Sequence, residues 1–252
     1  MSVNQGLIKE DEMIVSLNFK KYSQLSNNLK HLVSSLFGAV DENDVITCTK
    51  VEDFQKPDFL IKCNDKTRYV SMKSGKALIV HNETFDSFIS FLKEKNISEK
   101  TLETIALFHY GDGTVDGHNE ENRKPYEELV YELKDRIKEA NKELNKDIDF
   151  ILEVVNRCVF KGSKKDNIEA DCVYVGDREY GVLATKKQFV KNIYRRGFDY
   201  FTHLHIGPLL FRPHSRYINR KIEDQRNRNR IVASWPHLRE DIEYMSKRYN
   251  YL

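Results

Sequence analysis

From Tyr22 to Phe37 the chain reads YSQLSNNLKHLVSSLF, with apolar positions at Leu25, Leu29, Leu32, Val33 and Leu36. That spacing predicts one buried face of a helix, and Gly38 supplies its stop. The preceding stretch 12–20 (EMIVSLNFK) predicts a strand or an extended lead, and β-branched VITCTK at 45–50 predicts a short strand. Between Lys56 and Gly75 the chain reads KPDFLIKCNDKTRYVSMKSG, two apolar runs around a polar turn containing Asn64 and Asp65. Alternation, an Asn/Asp turn and renewed alternation predict a β-hairpin. A helix is expected to begin at Asn82, with Phe85, Phe88, Ile89 and Leu92 on one face.

Further along, helical periodicity over about 98–110 ends at the glycine-rich GDGTVDG. Pro125 marks the start of one long charged helix, YEELVYELKDRIKEANKELNK, with a stripe of Leu129, Leu133, Ile137 and Leu144. IEADCVYVG and YGVLA predict a second hairpin turning at Asp177, followed by a basic helix, TKKQFVKNIYRR. Strand-like FTHLHIG and LLFRP, the polar run SRYINRKIEDQRNRNR, strand-like IVASW and a helix after Pro236 complete the order. The whole predicts a mixed α/β chain. A soft boundary near 111–125 divides it into an expected core at 1–115 and a helical and α+β region at 116–252.

Composition narrows the class. A chain of 252 residues, 40% hydrophobic and 32% charged, suits one large or two modest globular domains. No apolar run approaches the roughly 18 residues of a membrane helix, and no signal-like segment opens the sequence. The cysteines at 48, 63, 158 and 172 are scattered, which favours reduced thiols and a cytoplasmic setting over a disulfide framework or zinc site. Charge is uneven along the chain. From Lys186 to Arg230 twelve Lys and Arg residues face three acids, a net +9. Such clustering suggests a surface for a polyanion, since phosphate contacts come from grouped cations.

Smaller constellations carry less. GDGTVDG has the look of a calcium loop, but position twelve is Arg123 instead of glutamate, so it is read as a turn. His203, His205 and His214 have loose metal-like spacing, yet His-x-His on a strand is more often structural or DNA-facing. The absence of a Walker-type glycine loop gives no support for ATP dependence.

The hairpin poses the sharper chemical question, because Asp58 follows Pro57 at the start of its first strand while Lys73 ends its second. Cleaving a phosphodiester needs a hard cation on carboxylate oxygens, a water beside it and positive charge near the phosphate. Adjacent strands can bring Asp58 and Lys73 together if their ends are in register.

Helix, strand, strand opened by Pro-Asp, strand ending in x-x-Lys, then helix resembles the core of the PD-(D/E)xK nuclease superfamily, home of most type II restriction endonucleases. The resemblance covers roughly residues 20–95. It implies a central mixed sheet flanked by helices, with Asp58 as a Mg²⁺ ligand and Lys73 positioning or activating the attacking water. The chain departs from the pattern at Ser71, where the family usually has a second metal-binding acid, so the motif reads Ser71-Met72-Lys73. Ser71 would reach a metal only through water. A subset of these enzymes has the same S-x-K form with the acid moved to the following helix. Here the matching candidate is Glu83, and Glu52 is the next acid to consider. His81 is read either as a contact to the scissile phosphate or as a turn histidine.

The expected function is Mg²⁺-dependent cleavage of double-stranded DNA, with a homodimer if the target is palindromic. Arg195, Arg196, Arg216, Arg220, Arg226, Arg228 and Arg230 are the expected DNA contacts. Arg, Asn and Gln supply the usual bidentate pairings to guanine and adenine. Two other readings fit the same residues: a non-catalytic nucleic-acid binder retaining the fold, and a nuclease of repair, phage or mobile elements.

Overall fold

The computed structural model describes residues 5–52, 55–74, 79–119, 122–193, 203–214 and 227–249. The chain divides into two units: 1–78, 159–192 and 237–252 form the first, and 79–158 with 193–236 form the second. The expected boundary at 115/116 therefore falls inside the second unit. Periodicity locates elements but carries no information about a chain that leaves a sheet and returns to it.

The first unit is built on a mixed six-stranded sheet. Its strands are β1 (Lys20–Lys21), β2 (Val45–Lys50), β3 (Phe59–Cys63), β4 (Lys66–Lys73), β6 (Cys172–Gly176) and β7 (Gly181–Thr185), paired in that order. All pairs are antiparallel except β4 with β6. The β3–β4 hairpin turns through Asn64, whose φ of 53° is one that asparagine tolerates better than most residues.

Helices α1 (Gln5–Leu17) and α2 (Asn27–Phe37) bury Met13, Leu17, Leu29, Leu32, Val33 and Leu36 in one core with Ile46, Phe59, Ile61, Val70, Met72 and Tyr174. Ser26 caps α2 by accepting from the Leu29 N–H, and Gly38 ends it at φ 81°. The stretch expected as a strand at 12–20 is thus mostly the second half of α1. Met13, Ile14 and Leu17 satisfy a helical period, and short apolar runs fit either period when read alone. α8 (Lys186–Asn192) and the Leu238–Tyr249 helix complete this unit.

The second unit carries a four-stranded sheet in the order β5 (Ile79–Thr84), β10 (Arg230–Ser234), β9 (Leu209–Pro213) and β8 (His205–Ile206). Its helices are α3 (Phe85–Glu94), α4 (Glu99–Tyr110), α5 (Tyr126–Glu132), α6 (Lys134–Leu144) and α7 (Ile148–Val155). Asn82 does not begin a helix. It lies in β5 opposite Val232, and Thr84 is the cap, its Oγ1 accepting from the Ser87 N–H at 3.3 Å. Two good capping residues stand two apart, and strand pairing decides between them. The single long helix expected after Pro125 is two, although the N–H of Leu133 still donates to Leu129 and its carbonyl accepts from Ile137. Among the described residues no helix is long and apolar enough to cross a membrane.

Candidate active site

Register brings the two hairpin residues together. Phe59 pairs with Val70 in β3–β4, and the Asp58 N–H donates to the Val70 carbonyl at 2.8 Å. The Asp58 carboxylate thereby meets the end of β4: Oδ2 accepts from the Met72 N–H at 2.5 Å and lies 3.5 Å from Lys73 Nζ. Lys73 Nζ also donates to the Met72 carbonyl at 2.7 Å. Both side chains keep a fifth to a quarter of their surface open, 24% for Asp58 and 21% for Lys73. Oδ1 of Asp58 takes no hydrogen bond among the described residues.

Glu10 of α1 lies within electrostatic reach of both Asp58 and Lys73. Glu10 continues the inward stripe of Met13 and Leu17 but is half-buried at its end. Its carboxyl is pushed above the usual range by burial and then by the neighbouring Asp58, against the attraction of Lys73 and Lys50. Glu10 was missed in the sequence because its segment was not read as helix. An acid at i, with Met13 at i+3 and Leu17 at i+7, was the available signal.

The remaining expected residues separate from this cluster. Ser71 has no exposed surface, and its buried Oγ has no hydrogen-bond partner. The water-mediated reach expected of it has no opening to solvent. Glu52 is exposed.

Glu83 belongs to the second unit and lies in β5, not on a helix turn. Its two oxygens are engaged by Arg157 Nε at 3.1 Å and Arg157 Nη2 at 2.5 Å, by Ser87 Oγ at 2.7 Å and by His81 Nε2 at 3.2 Å. Burial opposes its ionisation, but hydrogen bonds from His81 and Arg157 outweigh that and hold the carboxyl at about 2. A carboxylate so fully satisfied has no lone pair left facing solvent for a cation. The role expected for Glu83 as a metal ligand is corrected to that of an ion-pair partner, and His81 is turned to Glu83 instead of outward.

Of the expected DNA contacts, Arg195, Arg196, Arg216, Arg220 and Arg226 lie outside the described residues. The carbonyl of Arg228 accepts from His109 Nε2 at 3.0 Å, and Arg230 reaches across to Asn82. His205 is buried, with Nδ1 3.3 Å from the Gly207 carbonyl, and burial lowers its pKa; its part is structural.

Asp58 beside Lys73, with Glu10 within electrostatic reach, matches what Mg²⁺ takes from proteins, one or two carboxylates completed by water and substrate phosphate. Among the described residues no group of three or more His, Cys, Asp or Glu converges into a dedicated cage. The donor set at Asp58 and Glu10 fits a cation shared with a substrate better than a permanent structural ion.

No family model matches the chain, and no characterised protein matches it in sequence. The fold nevertheless has a clear class: a mixed sheet flanked by helices, resembling the restriction-endonuclease fold. A solved structure of the restriction endonuclease MspI in complex with its cognate DNA matches with a TM-score of 0.50 at 15% identity, covering 91% of this chain and 88% of that one.

Proposed function

We propose that the chain is a Mg²⁺-dependent DNA endonuclease that hydrolyses phosphodiester bonds in the manner of a type II restriction enzyme. The observation that carries this reading is the junction of Asp58 with Lys73 at the end of β4, on a fold resembling that of an enzyme solved on DNA. Asp58 and Glu10 would hold the cation. When bound, it would polarise the scissile phosphate and offset charge developing there.

The rest of the chemistry falls to the chain itself. The Met72 N–H fixes the rotamer of Asp58. Lys73 spends one donor on the Met72 carbonyl and one on Asp58, so its third N–H remains for a water or a phosphate oxygen. In that role it aligns the attacking water and adds positive charge beside the phosphate. Burial and Asp58 disfavour the ionised form of Glu10, and a bound cation would favour it. Cutting a palindrome would engage two copies of the chain, so a homodimer on DNA belongs to the same proposal.

The test is cleavage of duplex DNA by the parent chain with Mg²⁺ and with EDTA, alongside Asp58→Ala. The expected result is cutting only with Mg²⁺, and DNA binding without cutting by the variant. Cutting by Asp58→Ala at the parental rate would overturn the assignment.

A further inference from the structure

The four-stranded sheet of the second unit has one face that is apolar and buried through Ile231, Ala233 and Phe211, and one that is polar around the buried Val80 and Val232. Glu83, Ile231, Ala233, Phe211 and Pro213 are buried, while Asn82, Thr84, Arg212 and His214 are exposed. Val232 pairs with Asn82 on one side and with Arg212 on the other. Arg230 pairs with Thr84, and its carbonyl accepts from the His214 N–H at 2.8 Å. Laterally paired residues share a face of a sheet. Three strands thus bring the exposed Asn82, Arg212 and His214 and the half-buried Arg230 to one face of the sheet, around the buried Val232.

Two features of this cluster call for a partner. Neither Arg212 nor Arg230 forms an ion pair with a carboxylate among the described residues. The His214 imidazole is held below its usual pKa by burial and then by Arg230 and Arg212, which places all three within electrostatic reach of each other. Like charges gathered without an acid repel, and a polyanion would relieve that repulsion.

The second feature is the fixing of Arg230. Its Nε donates to Asn82 Oδ1 at 2.8 Å and its Nη2 to the Asn82 carbonyl at 3.2 Å. One edge of the guanidinium is thereby occupied by Asn82, which leaves the Nη1 donors and one donor of Nη2 unspent. A guanidinium already fixed along one edge loses little freedom on forming a second pair of hydrogen bonds. Two parallel donors from arginine match guanine O6 and N7 in the major groove.

We propose that the polar residues of this face contact duplex DNA, with Arg230, oriented by Asn82, reading a guanine while Arg212 and His214 grip the phosphate backbone. The inference rests on the nuclease reading for its substrate class, but it concerns binding and is tested without cleavage. Asn82 is a positioning residue here; Arg230 makes the contact. The ordinary alternative is a solvated polar sheet face.

The experiment binds the full chain to a pool of randomised duplexes in EDTA and sequences the retained fraction, with thermal unfolding as the check on folding. The parent should select a sequence containing a fixed G·C pair. Arg230→Lys and Asn82→Ala should each lose selection at that same pair by about tenfold or more while keeping it elsewhere. The double variant should be no worse there than either alone. Arg212→Ala should weaken every duplex alike and reduce the salt slope by about one. Should Arg230→Lys not fold, Arg230→Gln takes its place. Unchanged selection in the Arg230 variant, uniform weakening by it, or a parent that binds no duplex would each overturn the inference. A parent that selects as expected but cuts nothing with Mg²⁺ would leave the inference standing and remove the nuclease reading.

Discussion

Asp58 and Glu83 are both carboxylates at the edges of β-strands, and they have opposite surroundings. Asp58 has one oxygen tied to the Met72 N–H and to Lys73, with the other uncommitted and about a quarter of its side chain open. Glu83 has 3% of its side chain exposed and both oxygens engaged by Arg157, Ser87 and His81. One is poised to take another partner, while the other has spent its capacity on holding β5 to α3 and to the turn that follows α7. The resemblance to the PD-(D/E)xK nucleases nominated both for the same metal. What separates them is satisfaction: a ligand must keep lone pairs that the fold has not used.

The contrast can be broken most severely at the second carboxylate. Glu10→Gln should cut Mg²⁺-dependent cleavage by about 100-fold or more, since the cation would lose one of two protein ligands. Glu83→Gln should keep the parental cleavage rate per folded molecule. Single-turnover rates normalised to folded protein decide it, and equal losses in both variants would place Glu83 back in the metal site.

Next in size is Arg157→Ala, which leaves Glu83 buried with His81 and Ser87 but without its cationic partner. Breaking a buried pair in this way should cost about 3 kcal/mol, measurable by urea unfolding. Glu83 also fixes a pH dependence. Its folded pKa of about 2 lies below the unfolded value, so its stabilisation is complete above the unfolded pKa and is lost as pH falls towards 2. The urea midpoint should therefore fall between neutral pH and pH 3 by less in Glu83→Gln than in the parent.

Two further effects are smaller, and the first is of opposite sign. The Glu10 carboxyl is raised by burial and by Asp58, so ionising it at neutral pH works against the metal-free fold. A raised folded pKa favours folding below the unfolded pKa and loses that benefit as pH rises. Glu10→Gln in EDTA should accordingly unfold at a higher temperature than the parent at pH 7 and gain less on adding Mg²⁺. Ser71→Ala removes a buried hydroxyl that has no partner, and should change stability by less than about 1 kcal/mol and cleavage not at all.

The sequence was most legible where one local signal had a single solution. The β3–β4 hairpin, the α2 face with its Gly38 stop, α4 ending at Gly111 and the β6–β7 hairpin all lie where periodicity and turn residues place them. Reading failed where two local solutions were comparable. Residues 12–20 fit a strand or a helix, and hydrophobic packing of Met13 and Leu17 settled on the helix. Asn82 and Thr84 were rival caps, and pairing with β10 took the former into a strand.

The site followed the same pattern. Asp58 and Lys73 belong to one hairpin, so local register brings them together. Glu10 and Arg157 are distant in sequence from the groups they meet; helical spacing sets Glu10 on the face of Met13 and Leu17 but does not pair it with Asp58. The discontinuous units were hidden for the same reason, since contacts between 1–78 and 159–192 leave no mark on periodicity.

The most direct test of the nuclease centre is single-turnover cleavage by Lys73→Ala at saturating duplex DNA and Mg²⁺, with binding measured in parallel. Losing Nζ takes away the donor beside Asp58 without touching either carboxylate. The expected result is parental DNA affinity with cleavage reduced by about 100-fold or more. Cleavage at the parental rate would show that the junction of Asp58 and Lys73 is ordinary hairpin structure and that the chemistry, if any, lies elsewhere.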